Sequence, residues 1–294
     1  MSLRKERVMS LAGIGFDANS DTNIELNFES VLKSGMHGLC FSPYIEGQKP
    51  GEQLSEEQIR RRMEIIAPYT KWVRTFSCTE GNELIPKIAR EFGLKTLVGA
   101  WLGTDAEINE NEITNLIELA KDGFVDIMAV GNEVMYRKDL TEEELIGFMK
   151  RVKQAVPEIP MGYVDAYYEF EFRTKITEAC DVILANCYPF WEGCSNEYSL
   201  LYMQDMFRRA KKAANGKPVI ISETGWPSVG EKFHGAQPST EDAIKYFINA
   251  QMWSKADNIS MFYFSSFDES WKVGAEGDVG AYWGLWDKDE KLKY

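Results

Sequence analysis

The sequence predicts a single-domain (β/α)8 TIM barrel of the α/β class with short loops. Three observations lead there. Short apolar strands alternate with amphipathic helices about eight times over roughly 250 residues, the length of one such barrel. Several strands, Val182-Ile-Leu-Ala185 and Val219-Ile-Ile221 among them, are apolar without alternation, as parallel strands are when both faces are covered. No low-complexity linker or composition break divides the 294 residues, so 1–294 is expected to form one catalytic barrel. An open, doubly wound sheet built from the same units is the runner-up.

Residues 1–36 are expected to form an N-terminal segment packing on the barrel: a strand-like start, then a short helix over Leu26–Lys33. The eight strands are expected at His37–Ser42, Trp72–Cys78, Lys95–Trp101, Val125–Gly131, Pro160–Asp165, Val182–Cys187, Pro218–Ser222 and Ile259–Ser265. Between them, Ser55–Ile66 puts Ile59, Met63 and Ile66 on one helical face, and Thr141–Val156 does the same with Leu145, Phe148, Met149 and Val152. Ser55-Glu-Glu-Gln58 and Thr141-Glu-Glu-Glu144 fit caps, and Thr240-Glu-Asp242 an acidic first turn, where negative side chains meet exposed amides. Gly93, Gly123 and Gly216 follow helical runs, where a left-handed residue ends the helix.

Composition narrows the function. With 33 Lys+Arg against 46 Asp+Glu the chain carries a net −13, unsuited to nucleic acid or an anionic membrane surface. No run approaches the ~18 apolar residues of a membrane span. Only His37 and His234 are present, which disfavours histidine-rich metal sites and a Ser-His-Asp triad. His37 is expected near the barrel bottom and His234 in an exposed loop. No metal and no cofactor is expected. Gly13-Ile-Gly-Phe-Asp-Ala18 fits a loose dinucleotide pattern, but Asn19-Ser-Asp-Thr22 reads as turn rather than helix. The cysteines, Cys40, Cys78, Cys180, Cys187 and Cys194, lack metal-type spacing and are expected to be free thiols in a reducing compartment. A cytoplasmic location is therefore expected, with secretion or a periplasmic location as the alternative if a signal peptide has been removed.

In such barrels the chemistry sits at the C-terminal strand ends. There the fourth strand runs into Gly131-Asn132-Glu133 and the seventh into Ser222-Glu223-Thr224-Gly225-Trp226. A single glutamate in such a place is more often a rim salt bridge. Two of them, each in a glycine-containing turn, point to a catalytic pair, as glycosidic cleavage needs one carboxyl to protonate the leaving oxygen and another to attack or activate water. Trp101, Trp191, Trp226 and Trp271, at strand ends or in the loops that follow, are expected to offer stacking platforms for sugar rings.

At these residues a resemblance becomes specific. Val130-Gly-Asn-Glu133 and Ile221-Ser-Glu-Thr-Gly-Trp-Pro-Ser228 resemble the acid/base and nucleophile motifs of family 17 glycoside hydrolases, clan A barrels acting on β-1,3-glucans and related β-glucans. Phe41-Ser-Pro-Tyr44, Val73-Arg-Thr-Phe76, Asn186-Cys-Tyr-Pro-Phe190, Phe267-Asp-Glu-Ser-Trp-Lys272 and Trp283-Gly-Leu-Trp-Asp287 extend the likeness from about Gly38 to Asp287. The resemblance implies a retaining enzyme with Glu133 as acid/base and Glu223 as nucleophile, the two carboxyls about 5–5.5 Å apart. It further implies that Asn132 bonds the sugar 2-hydroxyl and that Tyr188 donates to the nucleophile. Tyr44, Arg74, Trp101, Trp226, Glu269, Trp271 and Lys272 are expected to contact substrate, with Glu269 and Lys272 as a charged pair. The expected substrate is a β-glucan oligo- or polysaccharide, cleaved or transferred to an acceptor sugar.

The loops resemble compact microbial and fungal members of that family. The short Pro189–Ser199 segment predicts no long groove beyond the cleavage point and favours short oligosaccharides. A non-catalytic carbohydrate-binding barrel would lack one of the glutamates. Other clan A glycosidases share the pair but not Thr224-Gly-Trp-Pro-Ser228.

Overall fold

A computed structural model describes residues 24–294. The strands are β1 (Met36–Cys40), β2 (Thr70–Arg74), β3 (Lys95–Ala100), β4 (Ile127–Asn132), β5 (Met161–Ala166), β6 (Val182–Asn186), β7 (Val219–Thr224) and β8 (Met261–Tyr263). They pair in parallel and in chain order. β1 bonds to both β2 and β8, with Gly38 opposite Phe262, and closes the barrel. Each expected strand is present, with ends displaced by a few residues; Gly13–Ala18 and the strand-like start lie outside the described residues.

Local chemistry sets the helix ends. Ser55 caps Glu56–Ile66 by accepting from the Gln58 amide, and Thr141 and Glu144 form a reciprocal capping box at Glu142–Ala155. At Thr240–Ala256 the cap is Ser239, one residue earlier than Thr240, because its extended backbone aims the hydroxyl at the Asp242 amide. Helix Ile24–Lys33 packs as an outer helix: Phe28 lies 4.9 Å from Phe247 of the Thr240–Ala256 helix and 5.1 Å from Tyr294.

Apolar side chains from all eight strands form one continuous core with the inner helix faces. Near the strand starts His37 stacks on Trp72 and meets the edge of Phe262, and burial, with the Lys71 charge, lowers its pKa to about 4. His234 is exposed, as expected. At the opposite end the ladders shift register at Ala129/Asn132, Ala185/Asn186 and Ile221/Thr224. Bulges re-aim side chains, and these three sit where β4, β6 and β7 deliver their last residues.

Gly225, just past β7, lets that strand approach the next connection closely: a Cβ there would fall 2.0 Å from the Phe264 carbonyl oxygen. Gly225→Ala should therefore destabilise the barrel by about 1–3 kcal/mol in urea unfolding. An unchanged midpoint would contradict the close approach.

Candidate active site

β4 ends on two left-handed turns of the backbone. Gly131 has φ 84°, and Glu133, without glycine's freedom, has φ 52°. That conformation costs about 1–2 kcal/mol for an L-residue, so neighbours must hold it. The Glu133 amide still donates to Val164 of β5 (2.8 Å), and the Arg137 guanidinium bonds the Asn132 carbonyl and, at 2.9 Å, the Leu102 carbonyl. The turn lifts the Glu133 side chain off the strand and over the barrel mouth.

Glu223, on β7, is gripped from two sides. Arg74 of β2, 1% exposed, forms an ion pair with it at 2.5 Å, and the Tyr188 hydroxyl donates to its other oxygen at 2.7 Å. The same guanidinium donates to the Ser222 carbonyl (3.0 Å) and to Asn132 Oδ1 (2.6 Å). With its oxygen so engaged, the buried Asn132 lies beside the two acids but outside the wall of the cavity they open on.

Asn186, the last residue of β6, joins the two acids. Its Nδ2 donates to Glu133 Oε1 at 2.9 Å and to Glu223 Oε1 at 3.1 Å, which bounds the gap between those oxygens at 6.0 Å. Ser222 donates to Asn186 Oδ1 at 2.8 Å, and so fixes which end of the amide faces the carboxylates. Burial, aided by the Glu223 charge, raises the Glu133 pKa to about 7, against a smaller opposing effect of the Asn186 bond. At neutral pH roughly half of the molecules hold a proton there.

Both acids open on a cavity of about 450 Å³, walled by Tyr136, Tyr168, Tyr188, Trp191, Phe264 and Trp283, with Glu192 and Glu276 adding charge. Trp191 therefore lines the mouth as expected. Trp226 does not: it is 1% exposed, packed between Phe190 and Tyr246, and its indole N–H is spent on the Gln237 carbonyl. Its burial in the core corrects the expectation of a platform. Trp101 is 38% exposed but lies outside the cavity wall, under the Arg137 guanidinium at 4.4 Å. Trp271 and Tyr44 meet edge to face at 6.0 Å, also outside that wall, where Trp271 donates to Glu269. Glu269 and Lys272 form an ion pair at 3.0 Å, and the Lys272 ammonium sits 4.2 Å above the Phe264 ring that faces the cavity. Asn186, Ser222 and Trp283 are site residues the sequence reading quoted only as motif positions.

All five cysteines are buried free thiols. Among the described residues no cluster of His, Cys, Asp and Glu is arranged to hold a metal, and no helix is long and apolar enough to cross a membrane.

A parallel barrel with paired glutamates at the C-terminal ends of β4 and β7, set in an aromatic cavity, defines a glycosidase-type site. Sequence comparison narrows the class: the family model of the BtgE/BtgC glycoside hydrolase domain matches residues 38–284. The chain belongs to that family, within glycoside hydrolase family 17. It is 28% identical over 265 residues to a glucan 1,3-beta-glucosidase of Arthroderma benhamiae, covering 83% of this chain and 85% of that protein. The crystal structure of a family 17 beta-1,3-glucanosyltransferase from Rhizomucor miehei superposes with a TM-score of 0.79 at 29% identity, covering 89% of this chain and 96% of that one. An active-site mutant of the same transferase, in complex with laminaritriose, matches with a TM-score of 0.79 at 28% identity, with the same coverage of 89% and 96%.

The electrostatics can be read directly. A titration of Glu133, followed by carboxyl carbon NMR, should centre near pH 7. In Glu223→Gln the neighbouring negative charge is gone, so the midpoint should fall while staying above the ordinary carboxylate range. A midpoint near 4.5 in the parent would contradict the burial described here.

Proposed function

We propose that this chain is a retaining glycosidase acting on β-1,3-linked glucan oligo- or polysaccharides through a covalent glycosyl-enzyme. The observation that carries the reading is the bridging amide of Asn186, which keeps the two carboxylate oxygens within 6.0 Å. Double displacement uses a spacing of about 5–5.5 Å, whereas inverting enzymes hold their acids roughly 6.5–9.5 Å apart to admit a water.

In the first step the Glu223 carboxylate attacks the anomeric carbon while Glu133 gives its proton to the departing glycosidic oxygen. The bond from C1 to the leaving group breaks as the C1–Oε bond forms. In the second step Glu133, now a carboxylate, takes a proton from water or from an acceptor hydroxyl, whose oxygen attacks C1 and releases Glu223. Arg74 and Tyr188 hold and aim Glu223, and the free Nδ2 of Asn132 donates to the 2-hydroxyl of the sugar being cleaved. Lys272 and Glu269 balance charge beside Phe264.

Transfer to a sugar uses the same intermediate as hydrolysis. The aromatic wall of Tyr136, Tyr168 and Trp191 favours it, because an acceptor ring stacked there excludes water from C1. The buried free thiols agree with a cytoplasmic location, but the relatives lend that location no support, and the secreted or periplasmic alternative stands beside it. We take the described residues 24–294 as one catalytic barrel.

With laminari-oligosaccharides, proton NMR should show the β-anomer as the first product; an α-anomer would contradict double displacement. Glu223→Ala should abolish turnover with the fold intact, and products longer than the substrate would mark transfer. Since Glu133 must hold its proton in the first step, kcat/KM should decline as pH rises through about 7. A profile flat from pH 6 to 9 would remove Glu133 as the acid.

A further inference from the structure

We infer that Asp165 and Tyr163 of β5 are positioning residues for the proton transfer by Glu133, clamping the turn that aims its carboxyl at Asn186. The assignment rests on reading Glu133 as the acid. Asp165 is 0% exposed and lies in the strand next to β4. The Tyr163 hydroxyl donates to Asp165 Oδ2 and itself accepts from the Met135 amide at 2.9 Å. The Tyr136 amide bonds Asp165 as well, and Ala166 donates to Oδ1 at 2.8 Å. Of two consecutive amides in the turn after Glu133, Met135 is thereby tied to the buried carboxyl through the Tyr163 hydroxyl and Tyr136 directly.

A buried carboxyl is expensive, and an apolar side chain of similar size would be cheaper at this position if packing were all it provided. Arg173, which senses the Asp165 charge, is paired with Glu169 and Glu142 instead. What the acid holds is the left-handed Glu133 backbone. Its charge also acts on the acid it positions. Glu133 is faced by Glu223 from β7, Asp165 from β5, Arg137 from its own turn and Tyr188 beyond β6. Asp165 and Glu223 favour the protonated form of Glu133, and Arg137 opposes them. Asp165 in turn is faced by Tyr163, Glu169, Arg173 and Tyr168.

Two substrates separate positioning from mere stability: a laminari-oligosaccharide, whose sugar leaving group needs a proton, and a dinitrophenyl β-glycoside, whose leaving group does not. In Asp165→Asn and Tyr163→Phe, kcat/KM should fall about 10–100-fold on the oligosaccharide and less than about threefold on the aryl glycoside. Asp165→Asn should also move the alkaline limb of the oligosaccharide profile to lower pH, since a charge favouring protonated Glu133 is lost. Equal losses on both substrates, or none on either, overturn the inference. If Asp165→Asn does not fold, Tyr163→Phe, which keeps the charged partner, decides alone. Glu133→Ala run in parallel tells the failures apart: if it retains full oligosaccharide activity, the reading of Glu133 is wrong. If Glu133→Ala loses activity on the oligosaccharide alone while both β5 variants behave as the parent, only the positioning role falls.

Discussion

The Asn186 amide sits between two glutamates that would otherwise repel one another, donating at 2.9 Å to one and 3.1 Å to the other. Two full charges about 6 Å apart cost about 3 kcal/mol at an effective dielectric constant near 20, enough to favour a single shared proton. Asn186 has a neutral donor to offer and cannot decide which acid keeps that proton. Ser222, by fixing the amide's orientation, keeps a donor rather than an acceptor between the carboxyls.

The choice is made by asymmetry around the pair. Glu223 has the Arg74 guanidinium on one oxygen and the Tyr188 hydroxyl on the other, a positive charge and a donor that Glu133 lacks. Glu133 is desolvated at the mouth and faces the negative Glu223 and Asp165, with the Asn186 bond and Arg137 pulling the other way. One acid is therefore poised to give a proton and the other to attack, from two identical side chains. The barrel supplies this by geometry alone: Arg74 reaches across from β2, Asn186 from β6, and bulges in the ladders let β4, β6 and β7 release their last side chains toward a common point. The strain at Glu133 is offset by bonds from two flanking elements, β5 and the Arg137 turn.

Much of this was legible in the sequence for a physical reason. Parallel strands buried on both faces leave continuous apolar runs, and caps such as Ser55 and Thr141 leave short local signals, so eight strands and several helix starts could be placed. The two glutamates stood out because each follows an apolar strand with glycine beside it. Side-chain direction was not legible. Trp226 shares a motif with Glu223 yet turns into the core, where Phe190, Tyr246 and the Gln237 carbonyl take it up. Trp101 and Trp271 end outside the cavity wall, whereas Trp283, far along the chain, reaches it. Asn186 and Asp165 read as ordinary polar ends of strands. Their importance comes from partners 37 and 53 residues away in one case and from backbone amides of a neighbouring strand's turn in the other, and no local pattern encodes either.

The division of labour between the two glutamates is tested most directly by trapping the intermediate. Incubation with a 2-deoxy-2-fluoro glycosyl fluoride of the β-glucan series, followed by proteolysis and mass spectrometry, should find the fluorosugar esterified to Glu223. An adduct on Glu133 or Glu276, or no adduct while the reagent is turned over, would contradict the account.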